Sequence, residues 1–310
     1  MERCSYTGTT MGDVAVEYRN VTFSYAKSNG EAGVPALKDV TLDVRVGERL
    51  GVLGPNGGGK STLLKLTLGL LKGNSGSIRV FGLSPEEARK ERLIGYVPQR
   101  NESELAFPIS VRQAVALSAG LRVSPWKSGA AATKVAVDEA MSVVGISELA
   151  ERPVGRLSGG QLQRAMIARA IACKPKMLLL DEPTVGIDVA GQQKFGELLK
   201  SLHDSLGLTI IVVSHDIRTI AAGSDRVACL SRTLHSHGTP DGLTPGVLAE
   251  VFRHDVAAIF GGDIHVHAHA AENCPIDATH VHGPALPAPT APVSLSVSAA
   301  KPKRDGGAAS

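Results

Sequence analysis

The chain has no apolar run long enough to cross a membrane. Its longest, such as Met177–Leu180 and Thr209–Val213, stop far short of the roughly 18 residues that a helical span requires. The N-terminal stretch MERCSYTGTTMGDV lacks the apolar segment of a secretory signal. Cysteine is scarce: Cys4, Cys173, Cys229 and Cys274 are too scattered for a disulfide framework and form no CxxC pair. No sign of charge dominates either. Against 33 Lys and Arg stand 30 Asp and Glu, and a formal net charge of +3 over 310 residues is too mild for a nucleic-acid-binding surface. No internal repeat is visible. These absences leave the expectation of a soluble, cytoplasmic protein, 43% hydrophobic and long enough for one large domain or two small ones. One residue type is unevenly placed: five of the ten histidines fall between His265 and His282.

Residues 1–12 are small and polar and read as a flexible N-terminal tail. Val14, Val16 and Tyr18 then alternate with polar residues, and alternation returns over Val21–Tyr25. Lys27–Val34, with Asn29-Gly30 and Gly33, reads as a loop. Leu37–Val46 alternates again, and Leu50–Leu53 is a short buried strand closing at Gly54. The two-sided alternation predicts an antiparallel sheet beside a more buried parallel one. Pro85–Arg92 is expected to be helical and Leu93–Val97 a strand. The Ala-rich segments Val111–Leu121 and Thr133–Val144 are expected helices, as is Gln161–Cys173. Met177–Leu180 and Thr209–Val213 have the continuous apolar character of strands buried on both faces, and the helix Gln192–Ser205 between them makes a βαβ unit. Residues 263–310 carry 6 Pro and 11 Ala with almost no periodicity, the pattern of a disordered tail.

Chemistry enters at Gly54-Pro55-Asn56-Gly57-Gly58-Gly59-Lys60-Ser61-Thr62, which matches GxxxxGK[ST] between a strand and a helix. The glycines let successive backbone N–H groups point at phosphates, which a Cβ would obstruct. Lys60 brings a point charge to the β- and γ-phosphates and Ser61 a hydroxyl to Mg2+, while the helix N-terminus adds partial positive charge. This loop says nucleotide binder without saying which kind. Met177-Leu-Leu-Leu-Asp181-Glu182 is an apolar strand ending in two carboxylates. Asp181 is suited to the Mg2+ shell, and Glu182 to polarising an attacking water as general base. Leu157-Ser158-Gly159-Gly160-Gln161 opens a helix, with Ser158 as N-cap and glycine N–H groups forming an anion site.

That last motif is the signature of the ATP-binding-cassette (ABC) ATPases, which the chain resembles from Val14 to about Gly262. Further motifs follow in the family's order. Tyr25 matches the aromatic residue that stacks on adenine, and Gln99, in Tyr96-Val-Pro-Gln99, the glutamine that links Mg2+ and water to a helical subdomain. Asp188 matches the loop that reaches across a dimer, and His215, in Ser214-His215-Asp216, the switch histidine. Two departures are small: Gly58 stands where Ala is commoner, and Val185-Gly-Ile where Ser-Ala-Leu is commoner.

The resemblance implies a P-loop NTPase of α/β class over residues 13–262. A RecA-like core would carry an antiparallel β subdomain near residues 14–50 and a helical subdomain near 100–165. It implies ATP on Tyr25 and on Gly54, Pro55, Asn56, Gly57, Gly58, Gly59, Lys60, Ser61 and Thr62, with Mg2+ on Ser61, Gln99 and Asp181. The catalytic group would be Lys60, Gln99, Glu182 and His215. Two copies would form a head-to-tail homodimer in which Ser158, Gly159, Gly160, Gln161 and Asp188 complete the partner's site. An integral-membrane permease on a separate chain, and a place at the cytoplasmic face of the membrane, are implied with it.

Only 57 residues lie between Gln99 and Leu157, too few for the coiled coil of the DNA-repair type, and one motif set disfavours the two-cassette translation factors. The phosphate loop, Phe107-Pro-Ile-Ser-Val and Asp181-Glu-Pro-Thr-Val-Gly-Ile-Asp resemble the zinc/manganese importer cassettes, which draw cargo from an extracytoplasmic metal-binding protein. The tail agrees in a different way. His265-Val-His267-Ala-His269 puts imidazoles at every second position, on one face of an extended segment, and Cys274, His280 and His282 are further Zn2+ ligands in kind. Manganese prefers oxygen-rich sites, so the histidines favour zinc. Two alternatives stand beside this reading: a cassette for an iron chelate, haem or an export substrate, and a metal-responsive regulatory protein.

Overall fold

The computed structural model describes residues 14–26, 32–99, 108–120, 129–185, 187–244, 246–249 and 251–252. The chain divides into two compact units, Met1–Pro240 and Asp241–Ser310, and among the described residues every strand lies in the first.

That unit is built on two sheets. In the smaller one, β1 (Val14–Ala26) lies between β2 (Ala32–Arg45) and β4 (Ser75–Val80), antiparallel to both. Residues Val16, Tyr18, Val21 and Phe23 are buried, so the apolar phase of β1 switches from even to odd positions. A one-residue register shift between Tyr18 and Val21, with Asn20 at φ 50, makes that switch. The bulge lets one strand keep a single buried face across two alternating segments. β2 begins at Ala32, so Ala32–Val34 of the expected loop Lys27–Val34 belong to a strand. β4 was not legible as a strand. Its sequence SGSIRV buries Val80 alone, and backbone pairing to β1 rather than apolar burial makes it a strand.

The larger sheet has the order β5-β6-β7-β3-β8-β9. Its strands are β3 (Arg49–Leu53), β5 (Ile94–Val97), β6 (Met177–Asp181), β7 (Thr209–Ser214), β8 (Arg226–Ser231) and β9 (Thr233–Gly238). All neighbours run parallel except the β8–β9 hairpin. Every residue of β6 and β7 is buried, as continuous apolar strands covered on both faces should be.

Helix α1 (Lys60–Thr67) follows β3, α2 (Pro85–Lys90) follows β4, and α5 (Gly159–Ile171), α6 (Val189–Leu206) and α7 (Ile217–Gly223) flank β6 and β7 in the chain. A buried hydrogen bond of 2.5 Å between the Tyr18 hydroxyl and Thr67 Oγ1 ties α1 to the antiparallel sheet, and burial pushes the Tyr18 phenol far up. Between β5 and β6 the chain makes α3 (Val111–Ala119) and α4 (Gly129–Val143), which pack on each other and on α5. Arg112 pins this helical part together, donating to Asp138 of α4 at 2.6 Å and to Glu151 at 2.8 Å. The architecture is that of a P-loop NTPase cassette. Among the described residues no helix is long and apolar enough to cross a membrane.

Candidate functional site

Strands β6, β7 and β3 are consecutive neighbours, so their C-terminal ends stand side by side. Asp181 pairs with Val213 in register, and Leu53 with Ser214. Sheet order alone therefore gathers the loop after β3, the carboxylates after β6 and His215 after β7. The crevice outside the carboxyl ends of parallel strands is where α/β folds bind ligands.

The loop's backbone is confined. A Cβ on Gly54 would stand 1.9 Å from the Leu230 carbonyl oxygen, and one on Gly58 would stand 2.9 Å from Pro55 O and 3.0 Å from Leu230 O. The glycine at position 58, where Ala is commoner among the family's loops, thus sits in a close contact. Gly59 caps α1 with φ 93.

Lys60 and Glu182 are each only 6% exposed. The Lys60 ammonium donates to Gly54 O at 2.8 Å and Pro55 O at 2.9 Å, and lies 3.3 Å from Glu182 Oε1. The other Glu182 oxygen, Oε2, lies 2.8 Å from His215 Nδ1 and accepts from the His215 backbone N–H and the Ser214 hydroxyl at 3.4 Å each. Glu182 itself has φ 47, a left-handed conformation unusual for a side-chain-bearing residue, held by its N–H donating to Val213 O at 2.9 Å. A strained residue fixed between an ammonium and an imidazole is the kind of arrangement found at reactive centres.

Beside it, Ser61 donates to Asp181 Oδ1 at 2.9 Å and the Tyr96 hydroxyl to Oδ2 at 3.5 Å. Burial, followed by the Glu182 charge, raises the Asp181 carboxyl above its ordinary range, with Ser61 and Lys60 opposing. Burial and the Asp181 charge push the Tyr96 phenol up to about 12, so it stands as a neutral donor. A hydroxyl and a carboxylate in contact form a hard oxygen set that fits Mg2+, which takes few protein ligands and keeps water for the rest.

Tyr25, Asn56, Gly57–Thr62, Gln99 and Glu182 line one cleft of about 300 Å³. The Tyr25 hydroxyl bonds Thr62 Oγ1 at 3.2 Å, and its ring meets Phe23 edge to face at 4.8 Å while staying 47% exposed. It is a propped, open aromatic face, suited to stacking on a base.

The signature residues stand apart. Ser158 and Gln161 form a reciprocal capping box at the start of α5, and none of Ser158–Gln161 lines that cleft. A Cβ at Gly160 would meet nothing within 4 Å. Asp188 caps α6, accepting from the Gly191 N–H at 2.9 Å. Tyr96 and Ser214 were missed as site residues. Both sit inside quoted motifs, but nothing in a linear pattern says that their hydroxyls reach Asp181 and Glu182. His265, His267, His269, Cys274, His280 and His282 lie outside the described residues. Among those described, no group of three or more His, Cys, Asp or Glu is placed to hold a metal ion.

Comparison with known proteins gives concordant matches. A family model described as ABC transporter matches residues 37–185. The zinc uptake system ATP-binding protein ZurA of Listeria innocua is 36% identical, over 72% of this chain and 85% of its own. The manganese transport system ATP-binding protein MntB of Halalkalibacterium halodurans is 38% identical, over 72% and 88%. Among solved structures, a dimeric post-hydrolysis state of the ATP-binding cassette MJ0796 bound to ADP and Pi has 31% identity. It covers 74% of this chain and all of its own, with a TM-score of 0.63.

Proposed function

The chain belongs to the ABC transporter family as an ATP-binding subunit, and from that footing we propose that it hydrolyses ATP to drive uptake of a divalent metal ion. Zinc or manganese is the cargo, and a separate membrane permease is the conduit. The observation that carries the ATPase reading is the paired set at the strand ends: Ser61 on Asp181 at 2.9 Å, beside Lys60, Glu182 and His215 in one chain of contacts. The family membership makes the chain an ATPase that uses ATP and Mg2+ and works as a dimer with permease partners. Cargo is supported by relatives named for zinc and for manganese transport.

Each residue's part follows from its surroundings. Tyr25 offers its exposed ring to the base, and the loop N–H groups with the α1 N-terminus take the phosphates. Lys60 turns its ammonium from two loop carbonyls toward phosphate oxygens. Ser61 and Asp181 hold Mg2+, which when bound neutralises charge on the phosphates. Glu182 accepts the proton of the attacking water, and His215, 2.8 Å away, fixes the carboxylate's orientation and faces the γ-phosphate. Gln99, exposed on the same cleft, carries nucleotide state toward the helical part. Ser158, Gly159, Gly160, Gln161 and Asp188 act on the partner's nucleotide, a reading supported by their absence from their own chain's cleft and by the exposure of Ser158, Gly160 and Asp188.

The cassette occupies residues 13–262, at the cytoplasmic face, with cargo delivered by an extracytoplasmic binding protein. The histidines and Cys274 of residues 263–310 bind Zn2+, a reading supported by their alternate spacing. ATPase activity of the complex reconstituted with its permease, with and without metal-loaded binding protein, tests the whole. Zinc or manganese loading should stimulate turnover. Stimulation by an iron chelate alone would overturn the cargo, and no turnover under any condition the activity. Deleting residues 263–310 should weaken zinc binding by equilibrium dialysis and leave hydrolysis intact.

A further inference from the structure

Tyr96 lies on β5, the edge strand of the larger sheet, opposite Leu179 of β6 in parallel register. Residues opposite each other share a face, and so do residues two apart on one strand. Tyr96, Leu179 and Asp181 therefore project to the same side, and the Tyr96 hydroxyl reaches past Leu179 to Asp181 Oδ2 at 3.5 Å. Ser61 holds the other oxygen, Oδ1, at 2.9 Å. The two donors come from different elements and face opposite oxygens, Ser61 closely and Tyr96 at longer range, so they bias the carboxylate's rotation from both sides. Below its hydroxyl the partly buried Tyr96 ring packs on the apolar core, which limits where the donor can go. Gln99 follows three residues later, across Val97 and Pro98, and opens onto the nucleotide cleft.

We propose that Tyr96 is a positioning residue for the metal site, its hydroxyl orienting Asp181 toward Mg2+ and tying that carboxylate to the segment that bears Gln99. The inference rests on the ATP and Mg2+ reading above and deepens it. A phenylalanine would fill the same space in the core and leave Oδ2 without its donor. Outer partners of metal-binding side chains set ligand orientation, and their loss weakens metal affinity by at least about tenfold.

The test uses the full-length chain with Mn2+ as an electron-paramagnetic-resonance probe and a non-hydrolysable ATP analogue. In Tyr96→Phe, Mn2+ affinity in the presence of the analogue should fall about tenfold. Binding of the analogue in chelator, and the melting temperature of the metal-free chain, should stay where they are. In an Asp181→Asn background, adding Tyr96→Phe should cost no further Mn2+ affinity, because the hydroxyl acts through the carboxylate. Unchanged Mn2+ affinity, an equal loss in the Asp181→Asn background, or failure of Tyr96→Phe to fold would each overturn the proposal. A wild-type chain that bound no Mn2+ with the analogue would instead overturn the nucleotide–metal reading.

Discussion

The phosphate-loop cluster and the start of α5 both stand at a helix N-terminus, yet their surroundings differ. Around the loop, Lys60 and Glu182 are buried and engaged on several atoms each within the same chain. At α5, Ser158 and Gln161 satisfy one another's backbone, and the space at Gly160 is open. A helix start that caps itself and leaves open space at Gly160 can be approached from outside the chain. On the proposed function, the contrast separates a half-site completed inside the chain from one that a second copy would complete.

The largest effect that would break the contrast is at Glu182. Glu182→Gln keeps the shape and removes the base, so steady-state ATP hydrolysis should fall by more than about a hundredfold while nucleotide binding persists. Next comes Gly160→Ala. No atom of the chain stands near the added methyl, so folding should be untouched, yet hydrolysis by the dimer should fall about ten- to a hundredfold through misplacement at the shared site. Mixing Gly160→Ala with Lys60→Ala chains should restore part of the activity, since one of the two composite sites is then intact. No recovery in the mixture would argue that the halves do not complement across a dimer. A smaller effect probes the anchoring of the finished half. Thr67→Val strips the buried Tyr18 hydroxyl of its 2.5 Å partner and should cost about 1–3 kcal/mol in chemical denaturation. The smallest concerns pH. Because burial raises the Asp181 carboxyl, the folded state holds that proton more tightly than the unfolded chain does. Stability of the metal-free chain should therefore decline as pH rises from the ordinary carboxylate range through the raised one, and Asp181→Asn should flatten the decline.

Much of this could be read from the residues in order. The loop over Gly54–Thr62, the carboxylates closing an apolar strand and the Ser158 cap are local patterns, and local patterns survive in a linear reading. Their convergence is not local. It depends on β6, β7 and β3 being neighbours, and periodicity contains no information on strand order. Strand β4 escaped because its pairing with β1 is carried by the backbone, with one buried side chain among six residues. The bulge in β1 was half visible, as alternation that stopped at Tyr18 and resumed at Val21 out of phase. The hydroxyls of Tyr96 and Ser214 were hidden because their partners are 85 and 32 residues away in the chain.

The seat of Gly54 against the Leu230 carbonyl bears on how this sequence can change over generations. β8 contributes no group to the chemistry, yet it acts as the mould against which the phosphate loop is cast. A drift of its backbone would be felt in the loop, where a Cβ on Gly54 would stand 1.9 Å from that oxygen and the Arg232 N–H donates to Gly58 O at 2.9 Å. Substitutions in the core around Leu230 are therefore constrained by catalysis at second hand. A library randomised there and selected for transport should return fewer solutions than one selected for folding alone.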